Sequence, residues 1–403
     1  MTQPDQFRTL LAAVLPSNRF YAGKFESAPA GIPFTLKQEL VDDQARNPPW
    51  GSNLTYPLER YTRFCQTSGT TGQPLRWLDT PESWKWMLDT WTRVYQAAGV
   101  TALDRVFFAF SFGPFLGFWT AFEAASRMGC LSIPAGGMRS AARLRAILDT
   151  GVTVLCCTPT YAIHLAEVAS EEQINLAASR VRRIIVAGEP GGSVVGTRAY
   201  IEKLWPGARV VDHHGMTETG PVSYGCPQRP GVLHIIESAF IPEIIDPEGL
   251  EPVPPGGRGE LILTNLGRTG SPVLRYRTGD LVECPVKAGC DCGSDDLALP
   301  GGILGRTDDM LVVRGVNVYP TAIENIVRSH GVAEYRVEIR TNRALPELSI
   351  QVEPSPELAE SAGLTGRLEA ALHTAFGLRI PVSAAASGEL PRFEMKAQRW
   401  VRC

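Results

Sequence analysis

From residue 105 onward, short apolar runs alternate with longer stretches of helical period, and this alternation predicts a parallel sheet covered by helices. Residues 106–110 are apolar without interruption, as a strand buried on both faces must be, and 152–157 and 183–188 follow the same pattern closely. Shorter strands are expected at 131–134 and 208–211. Between them, 118–128 predicts an apolar helix and 141–148 a helix with arginines along one face. The βαβ rhythm gives an α/β fold, a large N-terminal domain with mostly parallel sheet flanked by helices on both faces.

After His234 the rhythm breaks into short strands and turns: 243–245, then Pro254-Pro255-Gly256-Gly257, then 259–264. That predicts a β-rich subdomain of hairpins over about 222–300. Beyond Gly305, strands at 310–313, 335–339 and 348–352 and helices at 321–329 and 364–376 predict a small α+β unit, a mobile lid. The expected division is therefore 1–304 and 305–403. With 403 residues the chain is too long for one core, since single cores rarely exceed ~250–300 residues.

Composition changes this picture little. Charged residues are 20% and the net charge is −3, with basic residues scattered singly, so no nucleic-acid partner is expected. The apolar run Leu10 to Leu15 ahead of Pro16 is too short for a typical signal peptide or a membrane span, and the expectation is a cytoplasmic protein without a membrane partner. Nine cysteines, an odd number, suit thiols or metal ligands better than a disulfide framework.

Candidate chemistry begins at Thr67-Ser68-Gly69-Thr70-Thr71-Gly72-Gln73-Pro74, where two glycines and several hydroxyls form a loop able to hold phosphate oxygens. It is not a Walker A loop, because Gln73 stands where the lysine would be. On its own such a cluster is also an ordinary surface turn. Four segments follow it: Asp212-His213-His214-Gly215-Met216-Thr217-Glu218; Tyr276-Arg277-Thr278-Gly279-Asp280; Gly305-Arg306-Thr307-Asp308-Asp309-Met310; and Lys396-Ala397-Gln398-Arg399. In this order, the set resembles the adenylate-forming superfamily of acyl-CoA synthetases, peptide-synthetase adenylation domains and luciferases. Phe110-Ser111-Phe112-Gly113-Pro114, Gly188-Glu189-Pro190 and the run from Gly305 to Pro320 are most similar to phenylacetate-CoA ligases.

The resemblance implies an AMP-forming acid–thiol ligase that uses ATP, Mg²⁺ and CoA. Lys396 would bridge the substrate carboxylate and the α-phosphate, although Met395 replaces a glycine common in the family and Arg392 is the alternative cation. Thr217 would bond the α-phosphate, and Glu218 would hold Mg²⁺. Asp280 would accept both ribose hydroxyls, assisted by Arg306. Adenine would lie between His214, where relatives carry tyrosine, and the backbone of Gly188, Glu189 and Pro190. Thr67, Ser68, Gly69, Thr70, Thr71, Gly72, Asp212, His213, Gly215 and Met216 complete the implied nucleotide site. Phe112, Gly113 and Pro114 would line the acid pocket, favouring an aryl or arylacetic acid. Asp308 would be the hinge of the lid, and Gly315 would line a thiol tunnel once the lid turns.

Separately, Cys226, His234, Cys290 and Cys292 supply the four N/S ligands of a tetrahedral structural Zn²⁺, a combination some phenylacetate-CoA ligase relatives share; Cys284 could replace one of them. Three rival readings stay open. The acyl group could pass to a carrier-protein phosphopantetheine instead of CoA, the chain could bind acyl-adenylates without catalysis, or it could be a zinc-dependent binding module. A homodimer is the prior for its assembly.

Overall fold

The computed structural model of the chain describes residues 2–27, 31–67, 73–287, 289–314, 316–342, 345–358, 363–393 and 397–403. Its central element is a five-stranded parallel sheet built from Arg105–Phe108, Leu131–Pro134, Val154–Cys157, Arg183–Val186 and Arg209–Asp212. In space the second of these strands lies at the edge, beside the first, and the third, fourth and fifth follow. Side chains two apart share a face. Val106, Phe108, Val154, Cys156 and Ile185 therefore pack on one side against Met87 and Trp91 of helix Pro81–Ala97 and Ala121 and Ala124 of helix Leu116–Arg127. Phe107, Leu155, Cys157, Ile184 and Val186 pack on the other against helices Ser140–Asp149, Pro159–Glu171 and Val195–Leu204. Burying each large apolar side chain contributes roughly 1.5–3 kcal/mol, so the two faces hold the sheet.

Element ends differ from the sequence expectation for local reasons. The strand expected over 106–110 stops at Phe108, and Phe110 turns out to stack on Phe118 at 4.0 Å. The strand expected over 183–188 stops at Val186, ahead of Gly188 with its φ of +92°. Helix Pro159–Glu171 opens on a Thr-Pro signature: the Thr158 hydroxyl accepts from the Tyr161 N–H at 3.1 Å, and Pro159 has no N–H to satisfy.

The β-rich part holds two antiparallel sheets. Ser223–Gly225, Val232–Ile235 and Ala298–Pro300 form one; Phe240–Ile245, Arg258–Asn265, Tyr276–Glu283 and Gly305–Arg306 form the other. In the second, Arg306 stands opposite Asp280. The C-terminal part has a four-stranded sheet of Val382–Ala384, Leu345–Pro354, Val332–Asn342 and Trp400–Arg402, with an antiparallel central pair and parallel outer pairs. Helices Pro320–Ser329 and Leu364–Phe376 cover it through Ile323, Val327, Leu368 and Leu372, a core of its own. This part leans on the rest where helix Val195–Leu204 meets Pro320–Ser329. Gly196 makes that approach close, since a Cβ there would lie 2.7 Å from the Asn325 carbonyl oxygen. Among the described residues, no helix is long and apolar enough to cross a membrane.

Candidate active site

The carboxyl edge of a parallel sheet is where strands hand over to loops, and ligands of open α/β sheets bind there, at the point where strand order reverses. Here the reversal falls between Arg105–Phe108 and Val154–Cys157. Past the ends of the sheet strands come Phe110 to Pro114, Thr158 to Thr160, Gly188 to Pro190 and His213 to Glu218.

Within that edge the predicted residues take distinct places. Asp212 is half-buried; desolvation pushes its carboxyl up, against a bond donated by the Ser193 hydroxyl at 2.5 Å. The loop carrying Ser193 comes so close that a Cβ on Gly192 would sit 2.5 Å from an Asp212 carboxylate oxygen. His213 turns inward. Its ring lies 4.2 Å from that of Trp91, and burial drives its imidazole down to about 3, so the neutral ring donates from Nδ1 to the Ser223 carbonyl at 2.6 Å. His214 faces the other way, with Nε2 2.8 Å from Asp280 Oδ2. Its Nδ1 is buried with no hydrogen-bond partner among the described residues.

Asp280 is nearly buried and flanked on both oxygens, by His214 on Oδ2 and by Arg306 Nη1 at 3.3 Å on Oδ1. Gly279 permits this: its φ is +74°, and a Cβ there would lie 2.6 Å from Arg306 Nη2. Arg306 also donates from Nε to the exposed Asp308 at 2.9 Å. Thr217 and Glu218 are fixed through their carbonyls, which accept from Arg268 Nη1 at 2.6 and 3.2 Å. Arg268 is itself gripped by Asp79 through two bonds of 2.6 Å, with both side chains fully buried. The buried Glu218 carboxylate meets Lys37 Nζ at 3.3 Å.

At the mouth of the first loop, Thr67 and Leu75 bond each other through the Thr67 N–H and hydroxyl, at 2.9 and 3.0 Å. Leu75 in turn packs with Leu40, Trp77 and Tyr276, and Met216 rests against that cluster. Gly215 and Met216 form a tight hairpin with Gly220 and Pro221. Ser68, Gly69, Thr70, Thr71, Gly72, Gly315 and Lys396 lie outside the described residues. Ala397, which follows Lys396, donates its N–H to Glu189 Oε2 at 3.0 Å, while Glu189 Oε1 accepts from Thr160 at 2.8 Å; Gly188 and Pro190 on either side are exposed. Arg392, the alternative cation, is engaged by Glu167 and Glu353 at 2.8 and 2.7 Å.

Phe112 is half-buried among Phe110, Trp119 and Phe122, with ring centroids 4.9 to 5.5 Å away. The Trp119 indole donates to the Gly113 carbonyl at 2.8 Å, and the Gln66 N–H donates to Pro114 at 2.8 Å, so the aromatic loop is tied to the strand that leads into the first loop.

Away from this edge, the candidate ligand atoms of Cys226, His234, Cys290 and Cys292 all lie within 4.8 Å of one another. His234 Nδ1 donates to the Asp296 carbonyl at 3.0 Å, which fixes the tautomer that leaves Nε2 free, facing Cys292 Sγ at 3.4 Å. Burial disfavours the Cys290 thiolate, yet contacts from Cys292, Cys226 and Arg229 hold it down at about 6. Cys284 stands apart, its thiol directed at the Pro285 carbonyl.

Sequence reasoning missed Lys37, Thr160 and the Asp79–Arg268 pair. The Thr-Pro helix start marked Thr160's neighbourhood, but no motif surrounds Lys37 or Arg268.

A family model described as AMP-binding enzyme matches residues 55–267, and one described as AMP-binding enzyme C-terminal domain matches 315–402. The phenylacetate-coenzyme A ligase of Thermus thermophilus is 30% identical over 97% of this chain and 93% of its own length. Among solved structures, 2-hydroxyisobutyryl-CoA ligase in the postadenylation state with an acyl-AMP superposes with a TM-score of 0.92, at 28% identity over 100% of this chain and 89% of that one. The same enzyme in the thioesterification state, at 29% identity over 99% and 88%, gives only 0.73. The chain thus superposes better on that enzyme's postadenylation structure than on its thioesterification structure.

Proposed function

The chain belongs to the phenylacetate-CoA ligase family of adenylate-forming, AMP-binding enzymes, and from that premise we propose that its acid is an aryl or arylacetic one, activated by the residues gathered at the sheet edge. It is an AMP-forming acid–thiol ligase. A carboxylate oxygen attacks the α-phosphorus of ATP, the bond to the bridging oxygen breaks, and pyrophosphate leaves; the CoA sulfur then attacks the acyl carbon, losing its proton, and AMP departs.

Two negative groups meet in the first step, so positive charge and alignment are what the protein must supply. Lys396 gives that charge between the carboxylate and the α-phosphate. Thr217 bonds the α-phosphate, and the loop Thr67 to Gly72 holds the β- and γ-phosphates. Asp280 takes the ribose hydroxyls, oriented by His214 on one oxygen and Arg306 on the other. Adenine lies against the His214 ring and the backbone of Gly188 to Pro190. Phe112, with Gly113 and Pro114, faces the acid, and its aromatic neighbours favour a ring over a long flexible chain.

Glu218 suits Mg²⁺, as a buried carboxylate whose nearest partner is a cation, Lys37, and the ion when bound neutralises phosphate charge. Lys37 adds a second cation beside the phosphates. Cys226, His234, Cys290 and Cys292 suit a structural Zn²⁺ that pins the β-rich part and takes no share in the chemistry. Residues 305–403 act as the lid, turning about Asp308 to bring Gly315 to the thiol path. Nine cysteines that form no disulfide fit a reducing cytoplasm.

The observation that carries this reading is convergence: His214 on Asp280, Asp280 on Arg306 and Glu189 on Ala397 join five motif segments far apart in sequence, and Ser193, three residues past Pro190, bonds Asp212. A panel of benzoic, phenylacetic, short branched and long-chain acids, assayed for pyrophosphate release with and without CoA, tests it. Phenylacetic or benzoic acids should give the highest kcat/KM, with acyl-CoA formed only when CoA is present. Preference for a long-chain acid would overturn the substrate class.

A further inference from the structure

Two carboxylates of the N-terminal part each take a partner from the last stretch of the chain. Glu167, on helix Pro159–Glu171, accepts from Arg392 Nε at 2.8 Å. Arg392 is prepared for that contact, because Glu353 and the Leu390 carbonyl occupy its Nη2 and Nη1 at 2.7 and 3.0 Å and leave the Nε edge outward. Glu189 is used at both oxygens, one by the Thr160 N–H and one by the Ala397 N–H. Thr160 adds a third link, its hydroxyl accepting from Arg399 Nη1 at 3.4 Å, while Glu334 grips the same guanidinium at 2.6 and 3.0 Å.

Arg392 and Ala397 stand four residues before and one after Lys396 in sequence. The chain superposes better on a postadenylation structure than on a thioesterification structure of the same enzyme. Contacts made in one arrangement and lost in the other bias the equilibrium by their differential free energy and by nothing else.

We propose that Glu167 and Glu189 are positioning residues for the first half-reaction: they hold the chain on both sides of Lys396 in the adenylating arrangement and let go before the thiol step. Glu167 touches no reacting group; it acts through Arg392. Glu189 acts through its carboxylate, so its place beside adenine is a matter of backbone and its latch a matter of side chain. The inference rests on Lys396 serving adenylation, as proposed above.

Glu167→Gln keeps size and polarity but removes the charge that pairs with Arg392. Single-turnover adenylation should slow about 5- to 30-fold, the effect of one or two kcal/mol in such an equilibrium. The KM for ATP should stay within about two-fold, and thioester formation from supplied phenylacetyl-adenylate and CoA should equal or exceed that of the wild type. Adding Arg392→Gln to Glu167→Gln should slow adenylation little further, the mark of a shared contact. Glu189→Gln puts a donor NH2 in place of one of the two oxygens that accept here, so it loses one of these N–H bonds and should show the same split. Amide hydrogen exchange over 397–399, read without substrate, should quicken several-fold in both variants. Equal loss of both half-reactions in folded protein, a rise in KM for ATP alone, or unchanged exchange over 397–399 would each overturn the latch. Were the wild type to release no pyrophosphate with any acid, the functional reading would fall, and the exchange measurement would still decide the contacts.

Discussion

His213 and His214 are neighbours in one motif with opposite fates. Side-chain parity runs past the end of strand Arg209–Asp212: Val211 packs on the face that holds Trp91, and His213, two residues on, places its ring on Trp91 itself. That much was legible in the sequence, had the strand's alternation been carried one step further. The partnership of His214 with Asp280 was not, because it joins residues 66 apart and no local pattern encodes it. Burial of His213 has a pH consequence. Its folded value is about 3, against an unfolded value near ~6.5, so between these the unfolded chain takes up a proton that the folded chain refuses. Stability from this group is complete above about pH 6.5 and is lost as pH falls, by up to about 1.4 kcal/mol per pH unit. In urea unfolding between pH 7 and 5, His213→Gln, which can still donate to Ser223, should show a shallower decline than the wild type. Parallel declines would show that another group sets the slope.

Among elements, the β-rich part shows where spacing speaks and where it fails. Cys290 and Cys292 announce themselves by their Cys-x-Cys pattern, and the structure brings them to Cys226 and His234 across strands Val232–Ile235 and Ala298–Pro300. The apolar cluster beneath them consists of Cys226, Val232 and Ala298 with the two partly buried cysteines, too little to fix the 284–297 loop by hydrophobic burial. Metal should therefore contribute to its folding. Protein grown with ample zinc should hold about one zinc per chain, and Cys290→Ser combined with Cys292→Ser should lose the metal and lower the melting temperature while leaving adenylation kinetics of the folded fraction intact. Zinc-free wild-type protein would reject the site. Helix Lys37–Arg46 is the contrasting case. Its sequence is mostly polar, it docks chiefly through Leu40, and nothing in its pattern indicates that its first residue reaches Glu218.

For the whole molecule, the parallel sheet and the C-terminal α+β unit were legible because period and length set them, while their mutual placement rests on ion pairs and on the close approach at Gly196, which hydrophobic patterning does not report. Asp308 follows the last strand of the antiparallel sheet and is exposed, bonded to Arg306 and free of the core. If it is the pivot, Asp308→Pro, with φ held near about −65°, should restrict turning. Acyl-adenylate should then form and accumulate while CoA-dependent turnover falls by roughly two orders of magnitude, as expected when a conformational step limits turnover. Equal loss of both activities in folded protein would move the pivot elsewhere. The Asp79–Arg268 pair constrains a longer timescale. Its guanidinium ties the strand leading away from the first loop to the carbonyls of Thr217 and Glu218, and losing either partner strands a buried charge at a cost of roughly 3–5 kcal/mol, a large part of a domain's stability. Descendants of this chain can therefore remodel the acid pocket one residue at a time, but they can exchange this brace only by changing both residues together, which makes it a fixed point around which specificity diverges.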